Sequence, residues 1–545
     1  MSNAERGLVT LTNIEDWSQN TVINRFNTMV NNINNMIKKN GPIYSTWIYF
    51  QLGKNEPVIF NTSSTDKDRN IIANLTMEKG NSSVANTFTL TVNFDPFNFG
   101  QETQSKVELL DEYVAQAMYV DWKSDDEDTK LRGIIQYGYS STNNGDDKLV
   151  TPKYEFLLSK ADSEIKYSSG IGTYTFEGVS TVAAGSDYEA TFTEIKGWKP
   201  LDIVIWTLFY HFGDSQHIPN GLASDSKPSE MASKYKYRID VPQWLVDDQQ
   251  EEIDVQASKG SVWQYCLDIL TKYPLTKSNK ESGLYDKLDD MNADERPSYY
   301  MYITEQSDCK TIHITHNTPK ESEKNDKVDY VFTWSKQSEN IMLDWKPEAS
   351  LYMYLITKFK YLSTKENVDE NKIREQEDAN NGVVETWEDK MSRLGQESLL
   401  EMYNATMTTL GIPADAPITA EVKVIPTVLE SVSRTAGIYI IKSATDTIST
   451  DGTYTTQFKL FRIRGLNEAD AVSAKEIASN QTDETKEETK TVYTDLYTRE
   501  EVPVSQTTNK TYNRKVQPSA VSQLSNKVQL VKASDMQNKV LKVVP

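Results

Sequence analysis

The chain has 545 residues, too many for one hydrophobic core, and at ~150 residues per domain it should hold three or four. Its 79 acidic against 58 basic residues leave a formal charge of −21, which argues against a chain that grips nucleic acid through clustered Lys and Arg. The same excess suits plain solubility, or a surface along which a polyanion slides without sticking.

Twenty-nine tyrosines, with 10 Trp and 16 Phe, favour strands and interfaces. Cys266 and Cys309 are the only cysteines, so no disulfide framework is implied. The longest apolar run, residues 203–210, is far short of the ~20 residues of a spanning helix, and no membrane insertion is expected. No basic segment followed by an apolar stretch opens the sequence, so the chain is expected to remain in a cytoplasm. Sites such as Asn74-Leu75-Thr76 then carry no glycosylation message.

Residues 1–42 read as one amphipathic helix, with Val22, Phe26, Met29, Ile33 and Met36 on one stripe and Asn13 as N-cap. Asn40-Gly41-Pro42 ends it. The stripe packs either on its own domain or on a neighbouring chain. From Ile43 the period changes to two, and strands follow around residues 47–51 and 58–60. Residues 71–77 and 87–94 form the clearest strand pair, with Phe88, Leu90 and Val92 on one face and residues 78–83 as a loop. Further strands are expected over 132–139, after the acidic run 125–128, and over 174–179. Together these make a first β domain over 43–185.

Residues 186–357 mix helices and strands. Lys196-Gly197-Trp198 leads into an apolar helix over 200–212, and Lys259-Gly260-Ser261 leads into another over 262–273. Each follows a short strand, 190–195 and 253–257, giving a weak repeat of a strand–Gly–helix unit. Strands over 299–304, 311–315, 328–334 and 340–345 come next. Residues 358–395 are a charged, apolar-poor insertion, and a helix is expected over 385–410, stopped by Gly411-Ile412-Pro413. A second β domain over 396–465 has strands at 420–424, 437–448 and 454–463, with Thr450-Asp451-Gly452-Thr453 as a hairpin turn. Ile438 and Ile440 lie on its long strand, and Tyr454, Phe458 and Leu460 share a face. Residues 466–545 are polar, lack Trp and Phe, and could not fold alone.

No constellation singles out a reaction. His313 and His316 fall on opposite faces of a strand, and His211, Asp214 and His217 suit a helix end better than a metal site. Asp66-x-Asp68-x-Asn70 starts like a calcium loop but has Ile71 and Met77 where Gly and Glu are needed. Gly170-Ile171-Gly172 lacks the third glycine of a dinucleotide fingerprint, and no nucleophile elbow or phosphate-cradling loop occurs. The expectation is a structural subunit, not an enzyme, with no metal and no cofactor.

The order of segments resembles the baseplate hub proteins of contractile phage tails, the hub of T4-like phages and the late-control D type proteins. Three stretches carry the likeness: Asn86-Thr87-Phe88-Thr89-Leu90-Thr91-Val92; Asp329-Tyr330-Val331-Phe332-Thr333-Trp334 with Asn340-Ile341-Met342-Leu343-Asp344-Trp345; and residues 433–449 continuing to Phe458-Lys459-Leu460. The resemblance implies an α+β, strand-rich multidomain fold, with two tube-like β-barrel domains flanking mixed α/β modules. It implies a homotrimer whose two tube-like domains per chain make a pseudo-sixfold ring. That ring would join a tail tube protein to a central spike protein in the virion tail baseplate, assembled in a host bacterial cytoplasm. An acidic lumen would let DNA pass without specific nucleic-acid binding. Residues 1–42 and 466–545 would meet the tape-measure protein, the spike or the baseplate wedges. The alternatives are a tail-associated adhesin recognising a receptor or glycan through an aromatic groove, and a tail-associated cell-wall-degrading enzyme.

Overall fold

The computed structural model describes residues 19–38, 44–61, 71–80, 86–96, 104–121, 123–124, 130–141, 148–181, 194–215, 237–249, 252–256, 261–281, 298–306, 309–316, 330–333, 341–349, 355–356, 403–425, 437–465, 492–494 and 501–503. Asn13, the acidic run 125–128, the Asp66 segment, His217, the charged insertion 358–395 and nearly all of the polar C-terminal segment lie outside them.

Helix α1 (Gln19–Lys38) precedes the first β region. That region comprises β1 (Tyr44–Leu52), β2 (Val58–Asn61), β3 (Ile72–Gly80), β4 (Thr87–Phe94), α2 (Gln104–Met118), β5 (Arg132–Ser141), β6 (Lys148–Val150), β7 (Tyr154–Lys166) and β8 (Ile171–Ser180). The middle of the chain holds β9 (Glu194–Trp198), α3 (Pro200–Phe212), β10 (Gly213–Ser215), β11 (Tyr237–Asp240), α4 (Gln243–Asp247), β12 (Ile253–Gln256), α5 (Val262–Lys272), α6 (Lys277–Glu281), β13 (Tyr299–Gln306) and β14 (Cys309–His316). Then come β15 (Tyr330–Thr333), β16 (Met342–Ala349), β17 (Tyr403–Leu410), β18 (Glu421–Ile425), β19 (Gly437–Ser449) and β20 (Tyr454–Gly465), with a small pair, β21 (Val492–Thr494) and β22 (Glu501–Pro503).

Fourteen strands join in one sheet whose main path runs β16-β17-β20-β19-β3-β4-β8-β7-β5-β1-β2. Its pairings are antiparallel except that of β15 with β18. The two β regions expected as separate barrels are therefore parts of one sheet, and no closed barrel is found among the described residues. The join is β3 on β19, with Ser443 opposite Gly80 and Ser449 opposite Asn74. β15 and β16 also belong to this sheet.

Two expectations need correction. Residues 403–410 form a strand, not the end of a helix over 385–410. Ala405, Met407 and Thr409 are buried while Asn404, Thr406 and Thr408 are half-exposed, a period of two that Thr-rich sequence favours once packed on β20. The expected loop at 78–83 starts later, because β3 continues through Gly80 with Lys79 drawn inward.

Three cores result. The first region buries Phe50, Phe88, Phe156 and Phe176 beneath α2, with the Phe50 and Phe156 rings stacked at 5.8 Å. The second buries Met407, Ile441, Phe458 and Leu460 beneath α1. In the middle, β9 and β12 pair antiparallel and α3 packs on α5, so the two strand–Gly–helix units lean on each other. Gly197, the penultimate residue of β9, adopts φ +67, a left-handed conformation that a side chain would strain. Ser261 caps α5, its Oγ accepting from the Gln264 N–H at 3.2 Å.

The middle unit is fastened to the large sheet by buried polar groups. Tyr237 on β11 donates to Glu305 Oε1 at 2.7 Å and meets Thr181 at 2.7 Å. Lys310 on β14 donates to Thr181 Oγ1 and forms an ion pair with Glu155 on β7, which also holds Arg132 at 3.3 Å. Burial pushes the Glu305 carboxyl up from 4.5 to about 7, against the opposing pull of the Tyr237 hydroxyl and Lys310. The folded chain thus holds this proton more tightly than the unfolded chain. The contribution is complete below pH 4.5 and is lost as pH rises towards 7. Its size is on the order of 3 kcal/mol. Glu305→Gln should remove that decline, measured as the difference in denaturant midpoint between pH 4.5 and 7 for parent and variant. An unchanged decline would reassign it to another group.

Candidate functional site: the joint between the two β regions

On its buried face, the seam where β3 meets β19 is apolar except at one point. Lys79 on β3 and Asp446 on β19 form an ion pair at 3.3 Å, with side chains only 6% and 4% exposed. A buried pair of charges is tolerated only when its remaining hydrogen-bonding capacity is also met. Here it is. The Lys79 ammonium also donates to the Tyr154 hydroxyl at 3.0 Å and to the Ala414 carbonyl at 3.3 Å, which uses its three protons. Asp446 Oδ2 accepts from the Tyr137 hydroxyl at 2.7 Å, and Oδ1 accepts from Thr456 Oγ1 at 2.6 Å.

The partners come from β5, β7, β20 and the segment 411–420, so the cluster ties both regions together. Thr456 Oγ1 in turn accepts the Ile412 N–H at 2.8 Å, and the Tyr139 hydroxyl donates to the Gly411 carbonyl at 3.2 Å. Tyr454 packs edge-on to Tyr137 at 5.8 Å. Burial, then the Asp446 charge, holds the Tyr137 and Tyr454 hydroxyls well above their usual range. Burial, then the Asp415 charge, does the same for Tyr154. The Tyr137 and Tyr154 hydroxyls serve here as hydrogen-bond partners of Asp446 and Lys79, not as acids.

The residues singled out from the sequence do not converge on a cleft. Phe88, Leu90 and Val92 face the first core, and Ile438, Phe458 and Leu460 are buried in the second region. Ile440 is buried beside β18, and Tyr454 joins the first core across the seam. Phe26 and Ile33 of α1 are buried against the second β region, with Phe26 edge-on to Phe458 at 6.0 Å, and Val22 is buried as well. Met29 and Met36 pack on the rim of the same core. The joint itself was missed. A lysine and an aspartate at inward positions of alternating strands were its only trace.

One further constellation has the connectivity of a nucleophile, base and acid. Thr304 Oγ1 lies 2.9 Å from His313 Nε2, and His313 Nδ1 lies 2.9 Å from Asp240 Oδ2. Its exposure is reversed for catalysis, since Asp240 is the outermost member while His313 and Thr304 are buried. The arrangement clasps β11, β13 and β14 together. His316 is bound to the Pro274 carbonyl at 2.7 Å, and burial lowers it to about 4, as it does His211. Among the described residues no group of three His, Cys, Asp or Glu could hold a metal, and no helix is long and apolar enough to cross a membrane.

No family model matches the chain, and no curated protein matches it. Among solved structures it is similar to the 43 kDa tail protein of prophage MuSo2 from Shewanella oneidensis, at 10% identity and TM-score 0.41, over 77% of this chain and 97% of that one. A tail protein from Neisseria meningitidis MC58 aligns at 10% identity and TM-score 0.38 over the same shares. An E. coli type VI secretion system component aligns at 8% identity and TM-score 0.33, over 72% of this chain and 73% of that one.

The joint predicts an asymmetry among tyrosines. Tyr137→Phe removes a donor to a buried carboxylate and should cost about 1–3 kcal/mol in denaturant unfolding. Tyr49→Phe, whose hydroxyl meets Gln51 on a half-exposed face, should cost less than about 0.5 kcal/mol. Equal small losses would mean that Asp446 is not held as described.

Proposed function

We propose that this chain is a structural subunit of a phage tail or phage-tail-like particle, acting as a baseplate hub that scaffolds without a reaction or a cofactor. The observation that carries the reading is the β3–β19 join, which gives one chain two β regions already set side by side. Three such chains supply six β regions, the number needed to match a sixfold tube to a threefold spike. The open ends of the sheet path, β2 and β16, are then the edges at which neighbouring copies meet, leaving a lumen for DNA. The partners under this reading are the tail tube protein and the central spike, with the tape-measure protein and baseplate wedges around them. The particle is assembled in the host cytoplasm.

The net charge of −21 fits that role, because a polyanion finds no attractive long-range field. Light scattering of the purified chain at physiological salt should give three times 62.0 kDa. A mass that stays at one chain, even with a tube or spike partner added, would overturn the hub and favour a monomeric binding module.

A further inference from the structure

The middle unit has a core of its own. The buried apolar residues around α3 and α5 all come from residues 195–314, and none comes from the large sheet. Among the described residues, what fastens the unit to the sheet is narrower and runs along the β13–β14 hairpin. At one end Thr315 Oγ1 lies 3.5 Å from Thr419 Oγ1, and Tyr302 reaches into the core of the second β region. There it meets the segment 411–420, which is buried at every position without forming a strand. At the other end stand Glu305 and Lys310, with Tyr237 of β11 between them and Thr181.

That second end holds one buried ammonium between two carboxylates. Glu305 and Lys310 are directly opposite in register, yet Lys310 turns its ammonium across the interface to Glu155 of β7 and to Thr181 Oγ1. Arg132 of β5, the other cation, also serves Glu155 at 3.3 Å. Glu305 is only 2% exposed, and its hydrogen-bond partners are neutral: the Tyr237 hydroxyl at 2.7 Å, with the Ser180 and Asn86 side chains beside it. The titratable and charged groups that face it are thus Tyr237 from β11, Lys310 from β14, and Glu155 and Arg132 from across the interface. A carboxyl buried beside a cation that another carboxylate already holds is favoured as the neutral acid.

We infer that the Glu305 cluster is a proton-operated latch, closing the middle unit on the large sheet when Glu305 is protonated and releasing that edge when it is not. Release sends the Glu305 proton to solvent and lets both carboxylates be hydrated as anions. Closing takes one proton back. The separate core of the middle unit lets it move as a body, without unfolding. Burial holds the Glu305 carboxyl up at about 7, so the latch is closed below neutral pH and loosens above it. The inference stands independently of the hub reading.

Hydroxyl-radical labelling of the full chain tests it, with every rate taken relative to the exposed Tyr167 at the same pH. Tyr237, buried at the latch, should label about tenfold faster at pH 8 than at pH 6. Tyr113, buried beneath α2 in the first core, should not change. Glu305→Gln should make the Tyr237 rate independent of pH. Glu155→Gln leaves Lys310 to Glu305 alone and should move the rise about 1 pH unit lower. That second variant decides the matter if the first does not fold. A matching rise at Tyr113 would mean global unfolding and overturn the latch. So would a constant Tyr237 rate in the parent, a rise that survives Glu305→Gln, or one that Glu155→Gln leaves in place.

Discussion

The structure depends on one register. Strands more than three hundred residues apart in sequence must meet as β3 and β19, and a sheet pairing that slips by one residue turns every buried side chain outward. Apolar side chains alone penalise such a slip of one but tolerate a slip of two. Lys79 and Asp446 remove that tolerance. Lys79 lies opposite Ala444 and Asp446 opposite Met77, so the two are diagonal neighbours on the buried face. In another register each charge would be buried without its partner, at a cost of several kcal/mol. The pair thus contributes specificity more than net stability, the best-attested use of a buried polar pair.

Much else follows from that placement. With β3 fixed on β19, the segment 411–420 is trapped over the seam, where the carbonyls of Ala414 and Gly411 accept from Lys79 and Tyr139. Its backbone bonds to Tyr454 and Ile441 then hold it to the second region. Ile448 and Tyr454, from the second region's strands, fill the first region's core. The outward face becomes one uninterrupted surface because the threonines of β19, β3 and β4 fall into shared rows. The middle unit is held differently, through Glu305, Tyr237 and Lys310, and its own core around α3 and α5 is separate.

The local elements were legible because their periodicity is strong. Phe88, Leu90 and Val92 announce β4, the apolar run after Pro200 announces α3, and Thr450-Asp451-Gly452-Thr453 announces the β19–β20 turn, where Gly452 adopts φ +78. What could not be read was which strands pair across long separations. Residues 403–410 illustrate the limit: after a charged, helix-forming stretch, Thr406, Thr408 and Thr409 are the only sign of a strand, and packing on β20 decides it. The joint was hidden for a related reason. Lys79 follows Glu78 and precedes Gly80 in what looks like a polar loop, and nothing local says that its partner is Asp446. The apolar stripe of α1 left two homes open, and contact with Phe458 supplies one within the chain.

The central claim, that a buried ion pair sets the joint between the β regions, is tested most directly by a double-mutant cycle on Lys79→Met and Asp446→Leu. Each single change strands a buried charge and should cost about 3–5 kcal/mol in denaturant unfolding. The double change leaves no charge behind and should recover much of that loss, giving a coupling energy of about 3 kcal/mol. Costs that simply add would contradict the account, because they would place the two side chains apart and leave the register of β3 on β19 without its lock.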